Sequence, residues 1–566
     1  MTHDRYYVRF HYNFRSINCK VFSPQKPSLY PPSRALTAGF TVEQFNSISN
    51  KEGKSMLAKV NSFGILGLDA YPITIEVDVS RGLPSTTIVG LPDDSIRESK
   101  ERVRSAIKNS GFQFPQDRIT INLSPADIRK EGPSYDLAIA LGILAASEQI
   151  NSNAMLNYAF LGELSLDGRL QPITGSLSIC LSANSKKIKG IVLPTDNISE
   201  CYICDSIPTI EAKSLNDVVY FIHNDTEPSL VKTPLFELNF ETDNPEFDFA
   251  DVKGQFLVKR GLEIAASGGH NCLLIGPPGS GKTMLAQRLS TILPDMTKEE
   301  ILETTKIYSV MGLNTTKHKI ITRRPFRSPH HTSSSIALVG GGSNPRPGEV
   351  TLCHNGVLFL DELPEFNRDV LEALRQPLEE HSVTIARASR TMQFPARFML
   401  IAAMNPCPCG WLTDPKRSCH CNGQQIQKYM NKISGPLLDR IDIHLNVPIP
   451  KSHDIIHTTQ AELSKTIKER TTSARHIQRQ RFHGTNIRSN AQMDHRKTKK
   501  FCPINEECQT LLKKAMDELG LSARAHDRIL KVARTISDLA NSENILPEHL
   551  AEAIQYRCLD RQWAGN

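Results

Sequence analysis

No run of about 18 consecutive apolar residues occurs in this 566-residue chain, so no membrane-spanning helix is predicted. The first 55 residues contain no apolar stretch of the kind a secretion signal needs. They are poor in acid, rich in Arg, Ser, Pro, Tyr and Phe, and lack the amphipathicity of a transit peptide. They read as a disordered extension, or as sequence upstream of a misassigned start, because Met56 directly precedes the first well-patterned strand. Cysteine is too sparse for a secreted disulfide scaffold: 13 in 566 residues, several of them in apolar strands or tight clusters. That usage favours a reducing, cytoplasmic setting with metal binding or buried thiols. The charge balance excludes little. A net charge of +7 permits a nucleic-acid partner without requiring one.

The densest chemistry lies in residues 271–283, NCLLIGPPGSGKT. Cys272 to Ile275 read as a buried strand. The turn Gly276, Pro277, Pro278, Gly279, Ser280, Gly281 follows, and Lys282 and Thr283 open a helix. Strand, glycine loop and helix are the setting in which G-x-x-x-x-G-K-T cradles a phosphate chain. The glycines let backbone N–H groups turn inward, and the helix N-terminus adds partial positive charge. Lys282 is expected on the β- and γ-phosphates of ATP, and Thr283 on Mg²⁺.

A second apolar strand, GVLFLDE, ends in Asp361 and Glu362. Asp361 is expected to hold Mg²⁺, and Glu362 to polarise the attacking water as general base. A third, FMLIAAMN, ends in Asn405. Alone this is a strand-ending Asn-Pro turn; after a Mg²⁺ strand it suits a γ-phosphate sensor. Arg440 in SGPLLDRID suits a finger reaching a neighbour's γ-phosphate, or an internal pair with Asp439 or Asp442. Arg524, with Arg528 in reserve, begins an amphipathic helix that could bring it to the nucleotide of its own subunit. CPCGWLTDPKRSCHC places Cys407, Cys409, Cys419 and Cys421 within fifteen residues, a set fit for tetrahedral Zn²⁺, with His420 as a competing ligand.

Three features are candidates for a nucleic-acid contact. The Gly/Ser/His-rich insert 324–356 carries Arg346 and the adjacent His330 and His331, which read as polar contacts. The hairpin SVTIARASRTMQF carries Arg387 and Arg390 near its turn. A basic stretch over 469–500 includes Arg475 and Arg479 and reads either as a solvated face or as a lining for a phosphate backbone.

Residues 56–225 read as an α+β unit of alternating strands with one helix, in KEGPSYDLAIALGILAAS, that is apolar nearly all round and hence buried. Residues 226–250 read as a linker, 251–450 as the ATPase core and 451–566 as a helical lid. Cys201 and Cys204 form a lone C-x-x-C with no partner pair nearby.

The first unit resembles the proteolytic domain of Lon-type proteases. Gly132-Pro133-Ser134 matches the turn that carries the family's nucleophilic serine. A Ser–Lys dyad needs a lysine in a later glycine turn. Here that turn is Pro172-Ile173-Thr174-Gly175-Ser176-Leu177, with Ser or Leu in place of lysine, and Lys186, Lys187 and Lys189 lie further on. The expectation is a protease-like fold without peptidase chemistry. From Met56 to Arg557 the order of this unit, GPPGSGKT, FRSPHHTSSS, VLFLDELPEF, AAMNPCPCG, SGPLLDRID and LSARAHDRIL resembles the ComM/YifB-like group of magnesium-chelatase-related AAA+ ATPases. The resemblance implies an α/β AAA+ P-loop core with a helical lid, behind an α+β Lon-protease-like domain. It implies backbone near Asp251 and Val252 lining an adenine pocket. It further implies a homo-oligomeric ring, hexameric, that hydrolyses ATP between subunits and drives branch migration of single-stranded or branched DNA during natural transformation. Two alternatives stand beside this reading: a chelatase-type motor subunit for inserting Mg²⁺ into a porphyrin, although the chain has no D-x-S-x-S metal-adhesion motif, and a peptide-binding adaptor switched by ATP.

Overall fold

The computed structural model describes residues 56–183, 188–204, 207–224, 247–314, 320–342, 345–387, 390–450 and 461–557. The expected extension 1–55, most of the expected linker, and Lys186 and Lys187 lie outside the described residues.

The first sheet grows from one long hairpin. Strands β1 (Met56–Leu66) and β2 (Asp69–Ser80) pair antiparallel from Met56↔Val79 to Leu66↔Asp69. Every second residue points inward, burying Ile73, Ile75 and Val77. Strands β3 (Ser85–Val89) and β4 (Arg118–Ser124) extend one flank. On the other flank lies β5 (Tyr158–Phe160), followed in the chain by the small ribbon β6 (Glu163–Leu164) and β7 (Leu170–Gln171), and then by β8 (Gly190–Pro194) and β9 (Thr209–Ala212). The order is β3-β4-β2-β1-β5-β8-β9. The helix Asp136–Ala146 is buried along its whole length, as its sequence DLAIALGILAA demands. Gly142 permits its close approach to the sheet, since a Cβ there would stand 2.5 Å from Val77 Cγ2.

The second sheet is built from short strands, three of them wholly apolar. Its strands are β10 (Cys272–Ile275), β11 (Phe326–Arg327), β14 (Val357–Leu360), β17 (Met399–Met404) and β18 (Ile443–Asn446), interrupted in the chain by two antiparallel ribbons. The ribbons are β12 (Gly340–Gly341) with β13 (Arg346–Pro347), and β15 (Ser382–Arg387) with β16 (Arg390–Pro395). The order is β11-β14-β17-β10-β18, with every neighbour parallel. CLLI and VLFL are wholly buried because parallel strands are covered on both faces. Alternate residues feed two cores. Cys272, Leu274, Phe359 and Ile401 pack with the helices Phe256–Gly268, Lys282–Ile292 and Ala523–Leu539. Leu273, Ile275, Leu358 and Leu360 pack with Leu338, Val350, Ile385 and Phe394 from the ribbons and their surroundings.

The helix Lys298–Val310 fastens the two sheets together. Lys306 Nζ lies 2.5 Å from Asp69 Oδ1, and the Gly175 N–H donates to Ser309 O at 3.0 Å. Ile301 of this helix and Met296 just before it share an apolar cluster with Ile173 and Leu177.

Candidate nucleotide site

The chain leaves β10 at Ile275 and turns through Gly276–Gly281 at the carboxyl edge of the second sheet. Gly279 (φ +76°) and Gly281 (φ +88°) take the left-handed conformation open to glycine. Nothing stands within 4 Å of a Cβ built on Gly279, so the outer side of the loop is open. The inner side is tight: a Cβ on Gly276 would meet Val447 O at 2.2 Å. Lys282 Nζ donates to Gly276 O at 2.7 Å, Pro277 O at 3.0 Å and Asn405 Oδ1 at 3.1 Å. Burial lowers the Lys282 pKa, and Asp361 and Glu362 pull it back up. Thr283 Oγ1 donates to Asp361 Oδ2 at 2.7 Å, which brings the two expected Mg²⁺ ligands together. The Ser280 hydroxyl is buried without a hydrogen-bond partner. An open glycine cradle, an orphaned hydroxyl, a desolvated ammonium and a helix start fit a phosphate chain.

Glu362 holds a left-handed backbone (φ +53°) and an exposed carboxylate. Its Oε2 lies 3.3 Å from His331 Nδ1. The His331 ring meets Phe366 edge-on and lies tilted by 34° against His330, 4.2 Å between centroids. The histidine of the insert is therefore a partner of the expected general base, a pairing of distant residues that the local pattern could not reveal. Gln255 carries no motif either, yet its Nε2 donates to Ser280 O at 2.8 Å and Pro448 O at 3.0 Å and so ties the loop to the strand behind it. Of the residues expected at an adenine pocket, Asp251 accepts from Arg288 at 2.9 Å and caps its own short turn. The Val252 side chain is buried in the core, which leaves its backbone for the expected contact with a base.

The expected arginines gather elsewhere. Arg440 is 8% exposed and donates to Pro436 O and the Glu379 carboxylate, while its Nε has no partner. Arg524 lies 3.6 Å from Asp439, and Arg528 3.3 Å from Asp442. Arg440, Arg524, Arg528 and Asp442 line one cavity of about 430 Å³ with Asn271. The Asp442 N–H donates to Asn271 O, and Ile443 pairs with Cys272, so this cavity sits at the amino edge of β10 and β18. The phosphate loop leaves the opposite edge, about 13 Å away along four strand residues. This corrects the reading that Arg524 reaches the nucleotide of its own subunit.

The expected nucleic-acid contacts divide. Arg346 is exposed on β13 of the ribbon β12–β13. The register sets Arg387 opposite Arg390 at the end of β15–β16, whose turn lies outside the described residues. Arg479 is exposed and donates to Asp295 O at 3.2 Å. Arg475 is a correction: it is buried and donates to Ala266 O and Ser267 O at 3.0 Å each. A guanidinium there satisfies the last carbonyls of the helix Phe256–Gly268, where a cation is favoured, and is closed to a phosphate backbone. Arg481 and Arg488 are likewise held inside the chain's own ion pairs, with Asp538 and Glu303.

The four cysteines of 407–421 bring their sulfurs within 4.8 Å of one another. Cys407–Cys409, Cys407–Cys419 and Cys409–Cys419 lie at 3.3, 3.7 and 3.6 Å. Backbone N–H groups of Trp411 and His420 pull the Cys409 thiol down to about 6, whereas burial raises Cys407. The donor set is compatible with Zn²⁺. In the first unit, Ser134 is half-buried, and Leu177, where a dyad would need its lysine, is fully buried in apolar surroundings. The neighbouring Ser176 hydroxyl donates to Glu200, and Lys189 is exposed. Cys201 pairs with Cys180 at 3.2 Å between sulfurs.

A five-stranded parallel sheet with a phosphate loop, an Asp-Glu strand and a following strand tipped by asparagine defines an AAA+ P-loop ATPase core, here carrying helices beyond it and an α+β layer before it. Three family profiles match: magnesium chelatase, subunit ChlI over residues 248–455; subunit ChlI of Mg-chelatase over 75–197; and magnesium chelatase, subunit ChlI C-terminal over 461–557. Competence protein ComM of Haemophilus influenzae is 44% identical over 508 residues, 89% of this chain and 98% of that one. Uncharacterized protein YifB of Escherichia coli is 44% identical over 509 residues, with the same coverage. The chain belongs to this ComM/YifB family of magnesium-chelatase-related AAA+ proteins. Its first unit is Lon-like: a Lon protease of Brevibacillus choshinensis is 26% identical over 153 residues, 26% of this chain and 19% of that enzyme. Among the described residues no helix is long and apolar enough to cross a membrane.

Proposed function

We propose that the protein is a ring-forming AAA+ ATPase, hexameric, that turns ATP hydrolysis into movement on single-stranded or branched DNA, as a branch-migration motor in recombination of incoming DNA. One observation carries the reading. A single apolar cluster runs from the strands of the nucleotide site, through Leu273, Ile275, Leu358 and Leu360, to Leu338 just before the ribbon β12–β13 and to Ile385 and Phe394 of the ribbon β15–β16. That packing offers a path along which a shift at Asp361 and Glu362 would reach the segments carrying Arg346, Arg387 and Arg390. That a relative is named a competence protein supports the same reading.

In this mechanism the loop N–H groups and Lys282 grip the phosphates, and Thr283 and Asp361 would hold Mg²⁺, which would offset phosphate charge. Glu362 accepts the proton of the attacking water, and Asn405 orients that water. Arg440 and Arg524 come from the neighbouring subunit, and Cys407, Cys409, Cys419 and Cys421 would hold Zn²⁺. The test is ATP turnover with single-stranded, duplex, forked and three-stranded DNA. Turnover that rises with forked or three-stranded DNA and unwinds it is the expected result. Turnover indifferent to every DNA removes the motor reading. The second reading, a chelatase-type subunit for a porphyrin, is favoured by the names of the family profiles and would then be tested with porphyrin and Mg²⁺.

A further inference from the structure

We propose that the four-cysteine loop is a structural Zn²⁺ site that braces the phosphate loop, so that metal occupancy sets nucleotide affinity. The proposal rests on the zinc reading above and gives that metal a task. Four sulfurs around a tetrahedral Zn²⁺ at about 2.3 Å stand about 3.8 Å from one another. The observed 3.3, 3.7 and 3.6 Å are near that spacing. Backbone N–H groups point at the sulfurs, as the charge of a thiolate cluster requires: Cys421 N–H reaches Cys419 Sγ at 3.4 Å. Arg417 stacks on Trp411 at 4.2 Å and closes the loop from outside. Without a cation, four converging thiols would have little to hold them together, since three of them are only half-buried.

The loop meets the nucleotide site at two separate points. The first is covalent. Asn405, which accepts from Lys282, stands two residues before Cys407 and at the end of β17. The second is steric. Gly410 (φ +84°) lies between Cys409 and Trp411, and a Cβ on it would stand 2.7 Å from Pro278 Cδ and 2.8 Å from Pro278 Cγ. The ring of a phosphate-loop proline thus rests directly on the backbone of the cysteine loop. A metal that locks residues 407–421 fixes Pro278 from one side and Asn405 from the other. Releasing it frees both, and the cradle loses the preorganisation that a phosphate chain needs.

Two variants of the full-length protein separate the metal from the contact. Zinc and iron are measured in reductant-protected protein, and the affinity for a fluorescent ATP analogue is titrated on the same samples. Wild type is expected to carry about one zinc per chain and no iron. Cys421→Ser loses the zinc and weakens nucleotide binding, and stripping wild type with a chelator does the same until zinc is restored. Gly410→Ala keeps the zinc but pushes Pro278 aside, weakening binding about tenfold, the scale of forcing a packed contact. Circular dichroism and a melting curve check that each variant is folded. Wild type without zinc overturns the metal reading. Zinc present, with unchanged nucleotide affinity in both folded variants, overturns the brace and leaves the zinc site standing.

Discussion

The two edges of the parallel sheet differ in charge. At the carboxyl edge, Lys282 faces Asp361, Glu362 and Asn405 across an open glycine loop. At the amino edge, Arg440, Arg524, Arg528 and Lys531 line a cavity with Glu379, Asp442 and Asp527, and no phosphate loop is near. The same strands, β10 and β18, connect them. One edge has the shape and charge of a phosphate site; the other holds arginines paired with carboxylates of the same chain. That contrast is what a site shared between neighbouring subunits of the proposed ring would require.

The strongest way to break that contrast is to disable the carboxyl edge. Lys282→Ala is expected to abolish measurable turnover and nucleotide binding together, read by phosphate release and by titration with a fluorescent ATP analogue. Glu362→Gln should cost about 10²- to 10³-fold in turnover and leave binding intact. Normal turnover in that variant would remove Glu362 as the base.

Arg440→Ala probes the amino edge. Turnover of assembled protein should fall about 10³-fold, the range of arginine fingers in phosphoryl transfer, with unchanged ATP binding by dilute subunits. Mixing Arg440→Ala with Lys282→Ala chains should restore some turnover, because each supplies the half the other lacks. Arg524→Ala sharpens the comparison further. It is more exposed than Arg440 and paired only at 3.6 Å, so a smaller loss of turnover is expected. Weaker ATP binding by dilute Arg524→Ala subunits would return this arginine to its own nucleotide.

The carboxyl edge was legible in the sequence because its chemistry is local. A strand, a loop and a helix start within thirteen residues carry most of it, and Asp361, Glu362 and Asn405 each end an apolar strand. The buried helix Asp136–Ala146 was legible for the same reason, since unbroken apolar sequence fixes burial on all sides. What stayed hidden depends on distant pairings. Arg475 looks like one more cation in a basic stretch, and only the neighbouring helix end at Ala266 and Ser267 turns it inward. Arg524 looks like a lid arginine, and only the placement of its helix beside Asp439 puts it at the far edge. The contacts His331–Glu362 and Gly410–Pro278 join residues separated in the chain, so no spacing announces them.

The smallest effect concerns protons at the amino edge. His381 lines the same cavity as Arg440, at a left-handed backbone position (φ +54°). Burial, helped by the positive charge of Arg397, lowers its pKa to about 4. The imidazole is therefore neutral in the fold at pH values where the unfolded chain, with an ordinary pKa of about 6.5, takes up a proton. As pH falls from about 6.5 towards 4, the unfolded state binds the proton that the fold refuses, and stability falls with it. By pH 5 this amounts to about 2 kcal/mol. His381→Asn removes the titration and keeps a residue that tolerates positive φ. Urea midpoints measured at pH 7.5, 6 and 5 should decline less in the variant than in wild type. Parallel declines would mean that His381 accepts its proton in the fold, and that the cavity is wetter than its lining indicates.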